Sequence, residues 1–140
     1  MKKIYYLLIL VLVSLVSCDN VTVTKDAVDV YCYNTLDKTI KIEAFNNEGM
    51  LSCEIAPNDS AFFTTIEFTS EEDVIYGIYP GELAYINFLM NINKVSFYYG
   101  SEKYTYSEEE NKEDILNLLN LERYWEIHFN EEKREKFGWE

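Results

Sequence analysis

The residues of this 140-residue chain that can do chemistry are three cysteines, a single histidine, twelve tyrosines and 25 carboxylates. The histidine, His128, has no cysteine at metal-ligand spacing beside it, so neither a zinc site nor a nucleophile–histidine–carboxylate triad has its parts. No glycine-rich phosphate loop, G-x-S-x-G or H-E-x-x-H occurs. Two carboxylates suffice for glycoside hydrolysis, but with so many acids some pair is always close, and the composition selects none. Glu108, Glu109 and Glu110, like Glu71, Glu72 and Asp73, lack the alternating ligand spacing of a calcium loop. They suit a helix N-terminus and a solvated loop. No catalytic residue, metal or cofactor is expected.

The third cysteine, Cys18, has a particular setting. Met1 Lys2 Lys3 is a basic head, Ile4 to Val13 is almost wholly apolar, and Leu15 Val16 Ser17 brings the run to Cys18. This is the layout of a secretory signal peptide, too short for a membrane span, which needs about 20 apolar residues. Leu15, Val16, Ser17 and Cys18 resemble the lipobox of bacterial lipoproteins. That resemblance implies removal of residues 1–17, a diacylglycerol on the Cys18 sulfur, and acylation of the new amine. One acyl chain binds a membrane marginally, whereas two or three anchor it. The membrane is then a partner through the Cys18 lipid. Residues 18–27 read as a lipidated tether and residues 28–140 as the domain. Asp19 resembles an inner-membrane retention signal of some bacteria and the acidic export signal of others. The expected address is the cell envelope, outer membrane or cell surface in preference to inner membrane.

The formal charge is −13, and it becomes −15 without the first seventeen residues, which carry Lys2 and Lys3 and no acid. Such a balance repels nucleic acid and anionic lipid heads and attracts basic partners. No nucleic-acid partner is expected.

From Val28 the pattern alternates with period two, the mark of strands with one buried face. Val28, Val30 and Cys32 share one side, and Asp29, Tyr31 and Tyr33 the other. Asn34 to Lys38 is a polar turn. Ile40, Ile42 and Ala44 point inward, and Asn46 Asn47 Glu48 Gly49 turns the chain, with a glycine free to take positive φ. Leu51, Cys53 and Ile55 repeat the inward rhythm. Pro57 to Ser60 turns again before the strand-forming Phe62 to Phe68. Val74 to Tyr79 reads as a strand ended by Pro80 Gly81. In residues 82–91 Leu83, Ile86 and Met90 fit one helical face, while Ala84, Ile86, Phe88 and Met90 fit a strand; a short helix or irregular crossover is expected. Val95, Phe97 and Tyr99 alternate into a hairpin closed at Gly100 to Lys103, and Tyr104 to Tyr106 returns. Ser107 and Glu110 have capping-box spacing. A helix is predicted over Lys112 to Asn120, with Ile115, Leu116, Leu118 and Leu119 buried. Trp125, Ile127 and Phe129 form one face of a last strand. Asn130 caps a final turn that Gly138 ends. The class is mainly β: one antiparallel, immunoglobulin-like β-sandwich with one or two short helices near the C-terminus.

Cys32 and Cys53 both fall on the inward parity. In an exported protein the pair is a disulfide candidate, whose closure would stabilise by about 3 kcal/mol. Two small buried core residues is the plainer alternative. Next-but-one strands of a meander stand about 9.5 Å apart, beyond the Cα separation of about 7 Å that a bridge tolerates. Tyr31, Tyr33, Tyr98, Tyr104 and Tyr106 are together a candidate aromatic face for a sugar or peptide; tyrosine is also simply a good strand residue that covers a sheet.

The order of lipobox, alternating strands, late hairpin Lys94 to Tyr106, leucine-rich connector and terminal aromatic strand is similar to small lipoproteins of Bacteroidota. The resemblance implies a β-sandwich on the cell surface or outer membrane. The leading expectation is a lipid-anchored, non-catalytic binding or accessory module with an envelope protein or glycan as partner. The alternative is an acidic inhibitor of a basic enzyme such as lysozyme, although Tyr99 Gly100 Ser101 reverses the serine-glycine order of such inhibitors. A carboxylate-based hydrolase is the third.

Overall fold

The computed structural model describes residues 25–69, 79–122 and 124–140. The leader 1–17, Cys18, the tether up to residue 24, the acidic Glu71 Glu72 Asp73 and all but the last residue of the strand expected over Val74 to Tyr79 lie outside the described residues.

The mainly β expectation holds. Strands β1 (Lys25–Asn34), β4 (Asp59–Thr69) and β7 (Glu126–Phe129) form one sheet in the order β4-β1-β7. β2 (Ile40–Asn46), β3 (Gly49–Ile55), β5 (Lys94–Tyr99) and β6 (Glu102–Ser107) form the other, in the order β3-β2-β5-β6. Among the described residues all strand pairs are antiparallel except β1 with β7, which is parallel and aligns Tyr31 with Glu126 and Tyr33 with His128. β1 begins at Lys25, inside the stretch read as tether, because its ladder to β4 continues through exposed residues that have no apolar alternation to reveal it.

Most of the inward parities read from the sequence are the buried ones; Val28 and Leu51 are half-buried, and Trp125, also half-buried, precedes β7 at φ 68°. Val30, Cys32, Ile40, Ile42, Ala44, Cys53, Ile55, Val95, Phe97, Tyr99, Ile127 and Phe129 fill the space between the sheets. Period two puts them there: every second Cβ faces the partner sheet, and removing each from water contributes roughly 25 cal/mol per Å² of apolar area. Helix α1 (Pro80–Met90) packs on β4, α2 (Glu108–Leu118) against β6, and α3 (Glu131–Phe137) closes the chain. Ile115, Leu118 and Leu119 are fully buried, as expected, and Leu116 packs at the core's edge.

Several local expectations are corrected. Pro80 opens α1, since a proline at the first helical position loses no needed N–H. The buried stripe of α1 is Gly81, Tyr85 and Leu89, whereas Ile86 and Met90 are exposed. Tyr85 can go inside because its hydroxyl donates to the Leu119 carbonyl at 2.6 Å, and Gly81 because a Cβ there would stand 3.0 Å from the Trp125 ring. Gly49 does not take positive φ; instead Asn46 Oδ1 accepts the Glu48 and Gly49 N–H groups, both at 2.9 Å, and turns the chain itself. Ser107 precedes α2 without a side-chain cap, and the helix breaks at Asn111 (φ −159°, ψ 92°), so the regular part begins at the predicted Lys112. Asn130 Oδ1 does accept the Lys133 N–H at 3.0 Å, and Gly138 ends α3 at φ 69°.

Trp139 closes the β5–β6 side of the sandwich. It stacks on Phe97 at 4.0 Å and on Phe137 at 5.4 Å, and its indole N–H donates to the Tyr106 hydroxyl at 2.9 Å. Asn34 ties the other side. Its buried carboxamide donates to the carbonyls of Lys38 (2.8 Å), Ile55 (3.2 Å) and Ala56 (3.2 Å) and accepts from the Leu36 N–H at 2.9 Å.

Candidate functional site

The five tyrosines expected on one face are divided among three places, and register is the reason. In the β5–β6 ladder Phe97 pairs with Tyr104 and Val95 with Tyr106, so both tyrosines share the inward side of those core residues. Their hydroxyls are structural: Tyr104 accepts the Glu140 N–H at 3.0 Å, and Tyr106 receives the Trp139 indole. Tyr98 pairs with Lys103 and Lys41 and lies on the outer side of the four-stranded sheet. Only Tyr31 and Tyr33 share a surface, on the outer side of β4-β1-β7.

That outer surface is the candidate site. Tyr31 lies between Phe62 on β4 and Glu126 on β7, and Tyr33 between Ser60 and His128. The Tyr31 and Phe62 rings meet edge-on with centroids 6.0 Å apart and are 40% and 50% exposed. Tyr33 and His128 stack at 5.0 Å with planes only 10° apart. His128 Nε2 stands 2.8 Å from the Glu126 carboxylate, which fixes the imidazole over the Tyr33 ring. Burial first, and then the Glu126 charge beside it, push the Tyr33 phenol further above its ordinary value. Next along the face the Thr65 hydroxyl donates to Asp29 at 2.7 Å. A shallow hollow of about 280 Å³ continues the surface past Tyr33, lined by Asn34, Thr35, Asn58, Asp59 and Ser60.

A β-bulge makes this face. Val30 pairs with Thr64 and Tyr31 with Phe62, which leaves Phe63 as an extra residue on β4. Phe63 and Thr64 both turn inward and are buried, while Phe62 is put out beside Tyr31. Sequence reasoning missed Phe62 and Glu126 and read His128 only as a lone outward histidine. The signal for Phe62 was the doublet Phe62 Phe63 followed by Thr64 Thr65, which breaks the alternation on both sides. The parallel pairing that brings Glu126 and His128 to Tyr31 and Tyr33 has no local signature.

Cys32 and Cys53 are free thiols, both buried, and Cys18 lies outside the described residues. Among the described residues no three His, Cys, Asp or Glu side chains gather closely enough to hold a metal ion, and no helix is long and apolar enough to cross a membrane. Chemically, the face can stack planar or C–H-rich surfaces on its rings and exchange hydrogen bonds at Glu126, Ser60 and the Tyr33 hydroxyl.

Compared with protein-family models, curated proteins and solved structures, the chain finds no match.

Proposed function

We propose that the chain is a lipid-anchored, non-catalytic binding module of the cell envelope, held at the outer membrane or cell surface through Cys18. Its ligand surface is the outer face of β4-β1-β7, and the ligand is a neutral or cationic sugar. The observation that carries this reading is the group Phe62, Tyr31, Tyr33 and His128: two aromatic pairs on an outer sheet face, bordered by Glu126 and Ser60. Contiguous exposed apolar surface of this kind marks an interaction site, whereas single exposed residues do not. A sugar ring has a face of C–H groups and a rim of hydroxyls, which matches ring planes with polar groups at their edges. The net charge, −13 for the whole chain and −15 once residues 1–17 are removed, repels polyanionic glycans and leaves neutral and amino sugars. The apolar run before Cys18 supports the anchor.

The test is a glycan array probed with the native tethered protein, followed by titration of retained oligosaccharides into unsubstituted and Tyr31→Ala protein. Retention of neutral or amino-sugar oligosaccharides that Tyr31→Ala abolishes is the expected result. Turnover of an envelope polymer, or retention that Tyr31→Ala leaves intact, would overturn the reading.

A further inference from the structure

Cys32 and Cys53 belong to different sheets and meet across the core. Cys32 is fully buried on β1 and Cys53 is 4% exposed on β3, and each thiol lies close enough to perturb the other. A second contact fixes the approach independently. Two residues further along both strands, the Asn34 carboxamide donates directly to the Ile55 carbonyl at 3.2 Å. Positions 32 with 53 and 34 with 55 are therefore successive rungs between the sheets. Packed sheets normally stand about 10 Å apart, yet here one short side chain reaches from β1 to the main chain of β3. The sheets close to less than the usual spacing at this edge, and the objection raised by a meander does not apply, because the two strands face one another across the sandwich and are not next-but-one in one sheet.

We infer that Cys32 and Cys53 are a cross-sheet disulfide site, closed by exchange with a disulfide oxidant while the chain folds. In the exchange a thiolate of one cysteine attacks the oxidant's S–S bond, forms a mixed disulfide and releases one oxidant thiol. The second cysteine then attacks the mixed disulfide, the Cys32–Cys53 bond forms, and the second oxidant thiol leaves. The two protein thiols lose two electrons and two protons in all; the oxidant's disulfide gains both electrons and takes up both protons as two thiols.

The timing follows from the surroundings. The Cys53 thiol and then burial push the Cys32 thiol up, while Cys32 holds Cys53 down, so Cys53 is the thiol from which exchange starts; burial of both then keeps an oxidant from reaching it in the folded chain. Once folded, the reduced pair is shielded from oxidants, and the oxidised pair is equally shielded from reductants. The oxidation state is set before the sheets close and is then locked. This proposal does not depend on what the outer face binds.

The experiment uses the full chain carrying Cys18→Ser, which leaves these two thiols alone. Reduced, unfolded protein is refolded with oxidised glutathione or with dithiothreitol, and each product is denatured and alkylated. The oxidised product is expected to be a monomer with no alkylated cysteine, about 2 Da lighter than the reduced one, and to melt about 10 °C higher. The dithiothreitol product is expected to carry two labels. Two labelled cysteines after oxidative refolding, glutathione adducts, or disulfide-linked dimers in place of the internal bond would overturn the proposal. So would an internal bond that lowers the melting temperature, since the native spacing would then not admit it.

Discussion

The two outer faces of the sandwich are made of the same alternating strands, but their aromatic residues are treated in opposite ways. On the four-stranded sheet Tyr98 is enclosed by charge: the Lys41 and Lys103 ammonium groups lie 5.4 and 5.5 Å from its ring centre, and its hydroxyl donates to Glu43 at 3.3 Å. Lys41 in turn pairs with Glu43 at 2.6 Å. The Tyr98 ring and its hydroxyl are thus both engaged within the sheet. On the three-stranded sheet the exposed Phe62 and Tyr31 rings meet edge-on, and Tyr33 and His128 are stacked and steered by the Glu126 carboxylate. A face that satisfies itself is finished as a surface; a face with paired bare rings and polar edges is finished for an occupant.

The largest expected effect concerns the parity that separates inner from outer. Ile42→Asp places an unpaired charge in the core and should cost several kcal/mol, enough to unfold much of the population. Lys41→Asp, one residue away on the outer side, should shift the denaturation midpoint little. Equal losses in urea melts would mean that the faces are not distinct. Next, Asn34→Ala removes four hydrogen bonds at the seam between the sheets and leaves buried carbonyls without donors, a loss of about 3 kcal/mol. A midpoint within error of the parent would show that the seam is not held there.

Much of this was legible in the sequence, and where it was not the cause is specific. The inward sets Ile40, Ile42, Ala44 and Val95, Phe97, Tyr99 follow from period two alone, and the Asn130 cap and the Gly138 stop follow from residue type. The candidate site was half legible. Tyr31 and Tyr33 were placed outward correctly, but Tyr98, Tyr104 and Tyr106 were grouped with them because parity along one strand says nothing of which sheet, or which side of a hairpin partner, a residue joins. Phe62 depended on a bulge, and His128 and Glu126 on a parallel pairing between strands more than 90 positions apart in the chain. Such long-range register is set by tertiary packing, which no local pattern encodes.

The next effect sharpens the contrast at the level of binding. Tyr31→Ala or Phe62→Ala should weaken oligosaccharide affinity by about 2 kcal/mol, roughly 30-fold, as truncation of an anchoring aromatic does. Tyr98→Ala should leave the affinity measured by calorimetry unchanged. Equal weakening by all three would erase the distinction between the faces.

The smallest effect belongs to the finished face. The Lys41 ammonium beside Glu43 holds that carboxyl below its ordinary 4.5. A depressed folded-state value stabilises above the ordinary value and is lost as pH falls through the folded one. The melting-temperature advantage of the parent over Glu43→Gln should therefore be present near neutrality and vanish on acidification below pH 4.5. An advantage that grows in acid would contradict the pairing.

The most direct measurement of the central claim is a nuclear magnetic resonance titration of the intact protein with an oligosaccharide retained on the array, reading side-chain aromatic and backbone signals together. Shifts confined to Tyr31, Tyr33, Phe62, Glu126 and His128, with Tyr98, Lys41 and Lys103 silent, are the predicted result. Shifts centred on Tyr98 and its lysines, with the Tyr31 and Phe62 rings unmoved, would contradict it.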